Sequence, residues 1–247
     1  MTQKPVQLNF IPIKTRIVQP PKDEIWDILD ALELSDGDIV FITSKILGIH
    51  QGRCVPVDSV DKQKLIEQEA THWLSYDHPW GHNINLTITD NILISAAGID
   101  ESNADGHYIM WPKNVDKLCH DIRAHLMKKN NLTNLGVVST DSYTTPLRFG
   151  VAGITIGLSG VKPLKYILGS PDIFGRKLQV VRWANIIDPL TSLAVMLMGE
   201  AAEQTPIIIL RGYKDLEFAD DANMDDFKIP PEVDIYQPLL SVMESKK

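Results

Sequence analysis

The segment 96–103, AAGIDESN, holds the most distinctive arrangement of polar side chains in this chain. Small residues run into the carboxylate of Asp100, and the amide of Asn103 follows three residues later. Oxygen ligands on a short loop suit a hard cation such as Mg²⁺ or Mn²⁺. Asp, Ser and Asn side chains also bond to their own backbone in turns, so a simple capped turn is the alternative interpretation.

A second polar segment, STDS at residues 139–142, follows the apolar run 135–138. We expect it to form a loop, and polar side chains at the end of a buried strand are well placed to form a site. Arg148 lies seven residues after Asp141 and is able to pair with a phosphate or a carboxylate. Together the two segments could supply the pair of carboxylates that a phosphate-bound metal requires. An Asx-turn followed by a solvated arginine fits the same residues.

Lys45 and Glu200 are two further candidates. Lys45 follows Ser44 at the end of an apolar run, where it could contact a phosphate while backbone amides hold other oxygens. Glu200 follows the last long helical pattern and could be a third acidic ligand. For each, a solvated surface charge is the alternative. The histidine spacing in HPWGH, residues 78–82, fits no standard zinc pattern, and its proline and glycine predict a plain loop.

Composition and missing motifs narrow the classes of function. The 247 residues carry a net charge of -8, which argues against a broad electrostatic contact with nucleic acid or anionic lipid. No apolar run approaches the roughly 18 residues of a membrane span, and the first residues lack a signal-peptide core, so we expect a cytoplasmic protein. Cys54 and Cys119 are too few for a disulfide framework and are predicted to be reduced. P-loop, Rossmann, zinc-protease and serine-hydrolase motifs are absent.

Hydrophobic periodicity predicts an irregular mixture of strands and helices. Predicted strands cover residues 6–13, 39–43, 85–89, 91–96, 135–139, 150–160, 179–187 and 206–210. Predicted helices cover residues 23–34, 60–74, 115–129 and 188–198, with Asp58 or Ser59 capping the second and Asn114 the third. Because strands and helices do not alternate regularly, we expect a mixed α/β (α+β) fold. Residues 1–213 form the expected main domain, with or without two subdomains, and 214–247 an acidic C-terminal extension.

The same polar segments, taken in order, resemble the coenzyme F420-0:L-glutamate ligase (gamma-glutamyl ligase) family. The matching segments are GDIVFITSK at 37–45, QGR at 51–53, AGIDESN at 97–103, TDS at 140–142 with Pro146 and Arg148, IGLSG at 156–160, MGE at 198–200 and LRG at 210–212. Their order and spacing hold over roughly residues 6–213. The AGIDESN segment is the most specific of them.

The resemblance implies a GTP-dependent amide ligase that uses Mg²⁺ or Mn²⁺ and works as an intertwined homodimer with an unusual mixed α/β fold. Members of the family add glutamate to a deazaflavin coenzyme. The implied chemistry activates a substrate carboxylate as an acyl phosphate, which an amine then attacks. Metal ions would neutralise the charge on the γ-phosphate and on the leaving diphosphate. The implied partners are therefore a nucleotide and small-molecule carboxylate and amine substrates.

The resemblance also implies a role for individual residues. The residues that match metal ligands are Asp100, Asp141, Ser142 and Glu200. The residues that match nucleotide contacts are Ile11, Pro12, Ile13, Lys14, Ser44, Lys45 and Asn103. The expected catalytic residues are Asp100, Asp141 and Arg148.

Several positions depart from the family pattern. Ile49 stands where the family usually has a lysine, and an aliphatic group cannot replace a charge at a phosphate. Thr144 and Thr145 replace a glycine and an arginine, residues 89–91 replace a basic or histidine-glycine turn, and Pro189 replaces an acidic residue. We hypothesise that the metal–nucleotide core is kept and that the acceptor pocket has changed. A metal-dependent phosphohydrolase and a non-catalytic nucleotide- and metal-binding protein remain alternatives.

Overall fold

The computed structural model describes residues 7–77, 83–180 and 182–245. The histidine segment 78–82 and Val6, the first residue of the strand predicted at 6–13, lie outside these ranges. The strands are β1 (Asn9–Ile13), β2 (Asp38–Thr43), β3 (Cys54–Pro56), β4 (His72–Asp77), β5 (Asn83–Thr89), β6 (Ile92–Ser95), β7 (His107–Ile109), β8 (Leu135–Thr144), β9 (Val151–Val161), β10 (Leu164–Tyr166), β11 (Trp183–Asn185), β12 (Ile207–Arg211), β13 (Phe218–Ala219) and β14 (Glu244–Ser245).

The α-helices are α1 (Trp26–Asp30), α2 (Ser44–His50), α3 (Lys62–Glu69), α4 (Val115–Asn130), α5 (Ile187–Met198) and α6 (Gln237–Leu240). Short 3₁₀ turns lie at Val57–Ser59, Ala96–Gly98, Met224–Asp226 and Pro231–Val233. The fold is therefore mixed α/β, as the irregular order of predicted elements indicated.

A six-stranded sheet in the order β1-β12-β2-β8-β9-β13 forms the centre of the molecule. Its only parallel pair among the described strands is β2 with β8; the other neighbours run antiparallel. The apolar runs of these two strands are buried almost completely, as expected for strands covered on both faces. Because Thr43 is in register with Thr140, the two parallel strands reach the same end of the sheet side by side.

A smaller sheet has the order β14-β4-β5-β6, and two-strand ribbons form from β3 with β7 and from β10 with β11. The predicted hairpin of β5 and β6 is confirmed. Its turn residues, Asp90 and Asn91, both have positive φ angles, which Asp and Asn tolerate better than most residues. A second apolar cluster lies near this sheet and contains Leu65, Ile66, Ala70, Ala97, Ile99 and Met110.

The two long helices pack closely on β9. A Cβ added to Gly157 would lie 2.3 Å from a side-chain carbon of Val115 at the start of α4. A Cβ on Gly153 would lie 2.7 Å from the carbonyl oxygen of Thr191 in α5. The glycines thus let the strand approach another backbone, which confirms the interpretation of the small-residue segment 150–160.

Three predicted elements are longer than the observed ones. Of the helix predicted at 23–34, only α1 forms. The helix ends in a tighter turn, in which the backbone N–H groups of Ala31 and Leu32 donate to carbonyls three residues earlier. The helix predicted at 60–74 ends at Glu69, because the residues from 72 onward pair with β5; its cap is Asp61, and not Asp58 or Ser59. In the strand predicted at 179–187, Val181 lies outside the described residues; of the described part only β11 is a strand, since Ile187 already begins α5.

The expectation of a polar loop at 139–142 is wrong. Strand β8 continues through these residues to Thr144, with Asp141 opposite Ile154 and Ser142 opposite Gly153 on β9. The pairing with β9 satisfies the backbone groups that a loop would expose, and the register shifts between Ser139 and Thr140, one residue before the strand becomes partly exposed.

The chain after Tyr213 contacts both sheets. β13 pairs with the end of β9, and β14 pairs with β4. Between them, the side-chain amide of Asn91 donates to the carbonyl of Ile229 over 2.7 Å. Both cysteines are free thiols, Cys119 buried and Cys54 half-buried. Within the described ranges, we find no helix whose length and hydropathy would allow it to cross a membrane.

Candidate active-site cleft

The parallel pairing of β2 with β8 brings the first pair of candidate residues together. Ser44 and Lys45 follow the last residue of β2 and begin α2, while Asp141 follows Thr140 on the neighbouring strand. The hydroxyl of Ser44 donates to the carboxylate of Asp141, and the backbone N–H of Ser142 donates to the same carboxylate over 2.7 Å. The end of the parallel pair therefore holds Asp141 in a fixed position.

Asp100 is positioned by a strained turn. Ala96, Ala97 and Gly98 all have left-handed φ angles, and a Cβ on Gly98 would lie 2.0 Å from the buried ring of Trp111. Beyond the turn, the backbone of Asp100 exchanges two hydrogen bonds with Ile109, at 3.0 and 2.8 Å. Residues in sparsely populated backbone conformations persist where the surrounding structure fixes them, and such places often coincide with functional sites.

The loop after α5 supplies the third part of the cleft. Gly199 ends the helix with a φ of 79°, and Glu200 follows it. The side-chain amide of Asn103 donates to the carbonyl of Ala201 over 2.8 Å, which ties this loop to the turn that carries Asp100. The hydroxyl of Ser142 bonds to the carboxylate of Glu200 and so links the loop to β8 as well.

These three parts enclose a cleft of about 710 Å³. The candidate residues that line it are Ser44, Lys45, Asp100, Asn103, Asp141, Ser142 and Glu200. A volume in this range is typical of a small-molecule or nucleotide site. The two polar segments of the sequence, separated by about 40 residues, therefore face one another across a single cavity.

Lys45 is bound tightly to the turn that carries Asp100. Its ammonium group lies 2.5 Å from Oδ2 of Asp100 and donates to the carbonyl and the hydroxyl of Ser102 at 2.7 and 2.9 Å. Burial acts to raise the pKa of Asp100, but the hydrogen bond and the charge of Lys45 outweigh it and hold that pKa below its ordinary value. Asp100 is therefore an ionised carboxylate at neutral pH.

The pKa values of Asp141 and Glu200 are shifted in the opposite direction, upward. Burial raises the pKa of Asp141 to about 7, against the hydrogen bonds from Ser142 and Ser44, and the negative charge of Asp100 adds to the rise. Burial also raises the pKa of Glu200. A carboxylate that is costly to ionise in this way is stabilised by a cation placed next to it.

The lining of the cleft is predominantly acidic. It contains Asp100, Asp105, Asp141, Glu200 and Glu203, against Arg16 and Lys45 as the basic residues in the described part of the chain. The guanidinium of Arg16 is already paired with Asp23 and Asp27. The cleft is thus suited to a cation or to a ligand that brings cations with it.

The donor set fits a divalent metal that is completed by a ligand. Among residues 7–77, 83–180 and 182–245, no three His, Cys, Asp or Glu side chains lie close enough to hold a metal ion alone. Mg²⁺ is usually bound through one or two carboxylates together with substrate phosphates and water. The carboxylates of Asp100 and Asp141 and the hydroxyl of Ser142 provide this smaller set.

Arg148 does not join these residues. It lies in the turn between β8 and β9, outside the lining of the cleft, and its guanidinium donates to the carbonyl of Leu147. Thr144 and Thr145, which replace a glycine and an arginine of the family pattern, are exposed at the same hairpin. The hairpin therefore lies apart from the cleft within one chain.

The segment Ile11–Lys14 also lies mostly apart from the cleft. Ile11, Ile13 and Lys14 line a separate cavity of about 500 Å³ against α1, and Pro12 is exposed on β1. The main cleft begins one residue later, at Thr15. Ile49 is a buried wall residue of that cleft, on the last turns of α2.

Ser102 is the contact that sequence reasoning missed. Its backbone N–H and its hydroxyl both donate to the carboxylate of Asp100, at 2.7 and 3.1 Å, while its carbonyl accepts from Lys45. The signal was available, because Ser102 belongs to the AGIDESN segment and an Asp followed two residues later by a serine is a common Asx arrangement.

Comparisons with known proteins show the family of this chain. The family model described as F420-0:Gamma-glutamyl ligase matches residues 12–212. A coenzyme F420:L-glutamate ligase of Methanococcus maripaludis (strain S2) is 37% identical over 226 residues, or 85% of this chain and 90% of that protein. The proteins of the same name from Methanocaldococcus jannaschii and Methanopyrus kandleri are 30% and 29% identical, cover 85% of this chain, and are themselves covered to 89% and 88%. The matched region contains every strand that positions the cleft, from β2 to β12, and the chain therefore belongs to the F420-0:gamma-glutamyl ligase family.

Proposed function

We propose that this protein is a GTP- and divalent-metal-dependent ligase that joins the carboxylate of a small acceptor to an amine, in the manner of a gamma-glutamyl ligase. The observation that carries the proposal is the convergence of Asp100, Asp141 and Lys45 in one cleft. Two carboxylates and a cation around one cavity are the groups that nucleotide-driven carboxylate activation needs.

The residues of the cleft divide naturally between the metal and the nucleotide. Asp100, Asp141 and Ser142, with Glu200 nearby, would hold Mg²⁺ or Mn²⁺, and a bound metal supplies charge neutralisation at the phosphates and at the leaving diphosphate. Lys45 and Asn103 would contact the nucleotide oxygens. GTP is proposed as the nucleotide from the family resemblance, with ATP as the comparison.

The protein itself contributes positioning. Ser44 and the backbone of Ser142 keep the Asp141 carboxylate oriented into the cleft, and Ser102 does the same for Asp100. In the proposed reaction, an oxygen of the acceptor carboxylate attacks the γ-phosphorus of GTP and GDP leaves, which gives an acyl phosphate. The amine then attacks the acyl carbon, inorganic phosphate leaves, and the amine nitrogen releases a proton to solvent. Holding the reacting groups in one orientation accounts for a large part of such a rate enhancement.

The relatives reported above are named coenzyme F420:L-glutamate ligases, and L-glutamate is therefore our first choice of amine. The acceptor is proposed to differ from theirs, because the wall that carries Ile49 is apolar and buried. A hydrophobic wall cannot neutralise an anionic group of an acceptor.

A homodimer is part of the proposal. Leu147 and Phe149 are 96% and 93% exposed at the β8–β9 turn, and Ile173 and Phe174 are 92% and 88% exposed between β10 and β11. Large apolar side chains that are exposed in neighbouring pairs of this kind are typical of an interaction surface. Sedimentation of the wild type and of a Leu147→Ser, Phe149→Ser double variant tests the homodimer. We expect the wild type to be a dimer and the variant to be a monomer. A wild type that is monomeric at every concentration contradicts the homodimer.

Two measurements test the function. Titration calorimetry with GTP, GDP and ATP in the presence of Mn²⁺ measures nucleotide binding. Release of GDP in the presence of L-glutamate and a panel of acids then measures turnover. The ligase predicts binding of GTP and turnover that requires both acid and amine. Asp141→Asn should abolish turnover, whereas Asp121→Asn, a surface carboxylate paired with Lys117, should retain it.

Other outcomes would replace the proposal. Phosphate release that no amine affects would indicate a phosphohydrolase, and tight binding without turnover would indicate a binding protein. Failure to bind any nucleotide with any metal would remove the nucleotide-dependent function altogether.

A further inference from the structure

The ammonium group of Lys45 lies in a cradle of oxygen atoms. Its contacts are a carboxylate oxygen of Asp100 at 2.5 Å, the carbonyl of Ser102 at 2.7 Å and the hydroxyl of Ser102 at 2.9 Å. Ser102 also donates from its backbone N–H to the other oxygen of Asp100, so the cradle is held in shape by its own turn. Carboxylate, carbonyl and hydroxyl oxygens are the ligands that a hard divalent cation takes.

The lysine and a metal ion would compete for the same oxygen. A metal ligated by Asp100 requires a contact of about 2.0–2.6 Å to a carboxylate oxygen, the space that the ammonium group fills. Two cations on one carboxylate oxygen repel each other strongly inside a partly buried cleft. Lys45 lies on the first turn of α2, and its long flexible side chain lines the cleft of about 710 Å³, which gives it space to turn away from Asp100.

We propose that Lys45 is a resident cation of the ligand-free site, which a divalent metal displaces from Asp100 and which then becomes free to contact the polyphosphate. This inference rests on the proposed function, because it assumes that Asp100 is a metal ligand. It assigns Lys45 two successive partners. The site would then exchange one cation for another and would not leave the Asp100 carboxylate uncompensated in either state.

The competition lowers the apparent affinity for metal when no nucleotide is present. If the Lys45–Asp100 pair is formed about nine-tenths of the time, the apparent dissociation constant for Mn²⁺ is raised about tenfold over the value for the open site. Removing the ammonium group should therefore tighten the binding of Mn²⁺ alone. It should also weaken the binding of GTP with Mn²⁺, since the phosphate loses a cationic partner.

The experiment measures Mn²⁺ binding by electron paramagnetic resonance of the free ion, with the full-length protein and without nucleotide. Lys45→Met is compared with Lys62→Met, a matched control that removes the same charge from the neighbouring pair of Lys62 and Glu101. We expect Lys45→Met to bind Mn²⁺ about tenfold more tightly than wild type. Lys62→Met should differ much less, because it changes only the long-range potential.

The outcomes separate this inference from the proposed function. If wild type binds Mn²⁺ and Lys45→Met binds it equally or more weakly, the exchange is wrong while the metal site stands. If both lysine variants tighten binding equally, the effect is one of net charge and the exchange is again wrong. If wild type binds no Mn²⁺ with or without GTP, the proposed function fails and the exchange fails with it. Should Lys45→Met not fold, Lys45→Gln carries the same test.

Discussion

The side-chain amide of Asn103 donates to the backbone carbonyl of Ala201 across 98 residues of chain and joins the turn of Asp100 to the loop of Glu200. These two segments lie near the middle and near the C-terminal end of the matched region, residues 12–212, and this bond is a direct connection between them. This hydrogen bond joins an exposed side chain to an exposed loop at the lining of the cleft. A bond of this kind contributes about 0.5–1.5 kcal/mol to stability.

Replacing Asn103 by alanine should weaken nucleotide binding more than it weakens the fold. Asn91→Ala is the matched control, because Asn91 also has a left-handed backbone and also donates to a distant carbonyl, that of Ile229. We expect both variants to lower the melting temperature by similar amounts. Only Asn103→Ala should raise the dissociation constant for GTP with Mn²⁺. Equal nucleotide binding by both variants would show that the hydrogen bond between Asn103 and Ala201 has no role in the cleft.

Replacing Asp141 by asparagine should abolish turnover and increase thermal stability. Burial raises the pKa of Asp141 to about 7, which means that the fold disfavours the ionised carboxylate. A neutral amide removes that cost, and a gain of about 1 kcal/mol raises the melting temperature of a domain of this size by about 2–4 °C. Differential scanning calorimetry without metal measures the change in melting temperature. A lower melting temperature of the variant would contradict the claim that burial of the ionised carboxylate destabilises the fold.

A methyl group at residue 98 should be far more destabilising than one at residue 106. Gly98 and Gly106 have φ angles of 69° and 75°, but an added Cβ lies 2.0 Å from the Trp111 ring at the first and meets nothing within 4 Å at the second. Gly106→Ala should cost about 1–2 kcal/mol, the cost of a left-handed backbone. Gly98→Ala should cost more than about 4 kcal/mol, because Trp111 is buried and cannot move aside. Urea denaturation distinguishes the two, and similar losses would mean that the ring is displaced easily.

Glu69 should make the stability depend on pH in the acid range. Burial opposes its ionisation, yet Lys113 and Arg53, at 2.7 and 2.6 Å, hold the pKa of Glu69 below its ordinary value. Because the folded-state pKa is the lower one, the stabilisation is complete above the unfolded pKa of about 4.3 and is lost as pH falls through the folded value.

The comparison of wild type with Glu69→Gln measures this contribution. At pH 7 the variant should be less stable by about 1–3 kcal/mol, since it leaves two cations without a charged partner. The two proteins should converge as the pH is lowered below about 4 in a series of urea denaturations. A constant difference at every pH would assign the loss to packing and not to charge.

Local patterns in the sequence predicted the buried elements well. The strand at 39–43 and the helix at 115–129 match β2 and α4 within one residue at each end, because a continuous apolar run and a clear helical stripe need no distant partner to be recognised. The helix predicted at 60–74 failed in its second half, where residues 72–77 form β4. Pairing with β5 determines the structure of these residues, and the local hydrophobic periodicity does not indicate that pairing.

The site depended on relations that the sequence expresses only in part. The resemblance selected Asp100, Asp141, Ser142 and Glu200, and the structure places all four in one cleft. Their roles as ligands remain predictions. The partner of Lys45 could not be anticipated, since Asp100 lies 55 residues away. The two meet because Asp100 pairs with Ile109 on β7 and α2 packs against that strand.

The segment after residue 213 has a consequence for shortened forms of the protein. β13 and β14 each cover two residues of a strand that is the last of its sheet without them. Uncovered β-edges recruit other chains through their free N–H and C=O groups. A protein truncated at residue 213 should therefore keep the cleft-forming strands and yet aggregate at concentrations where the 247-residue chain stays dispersed.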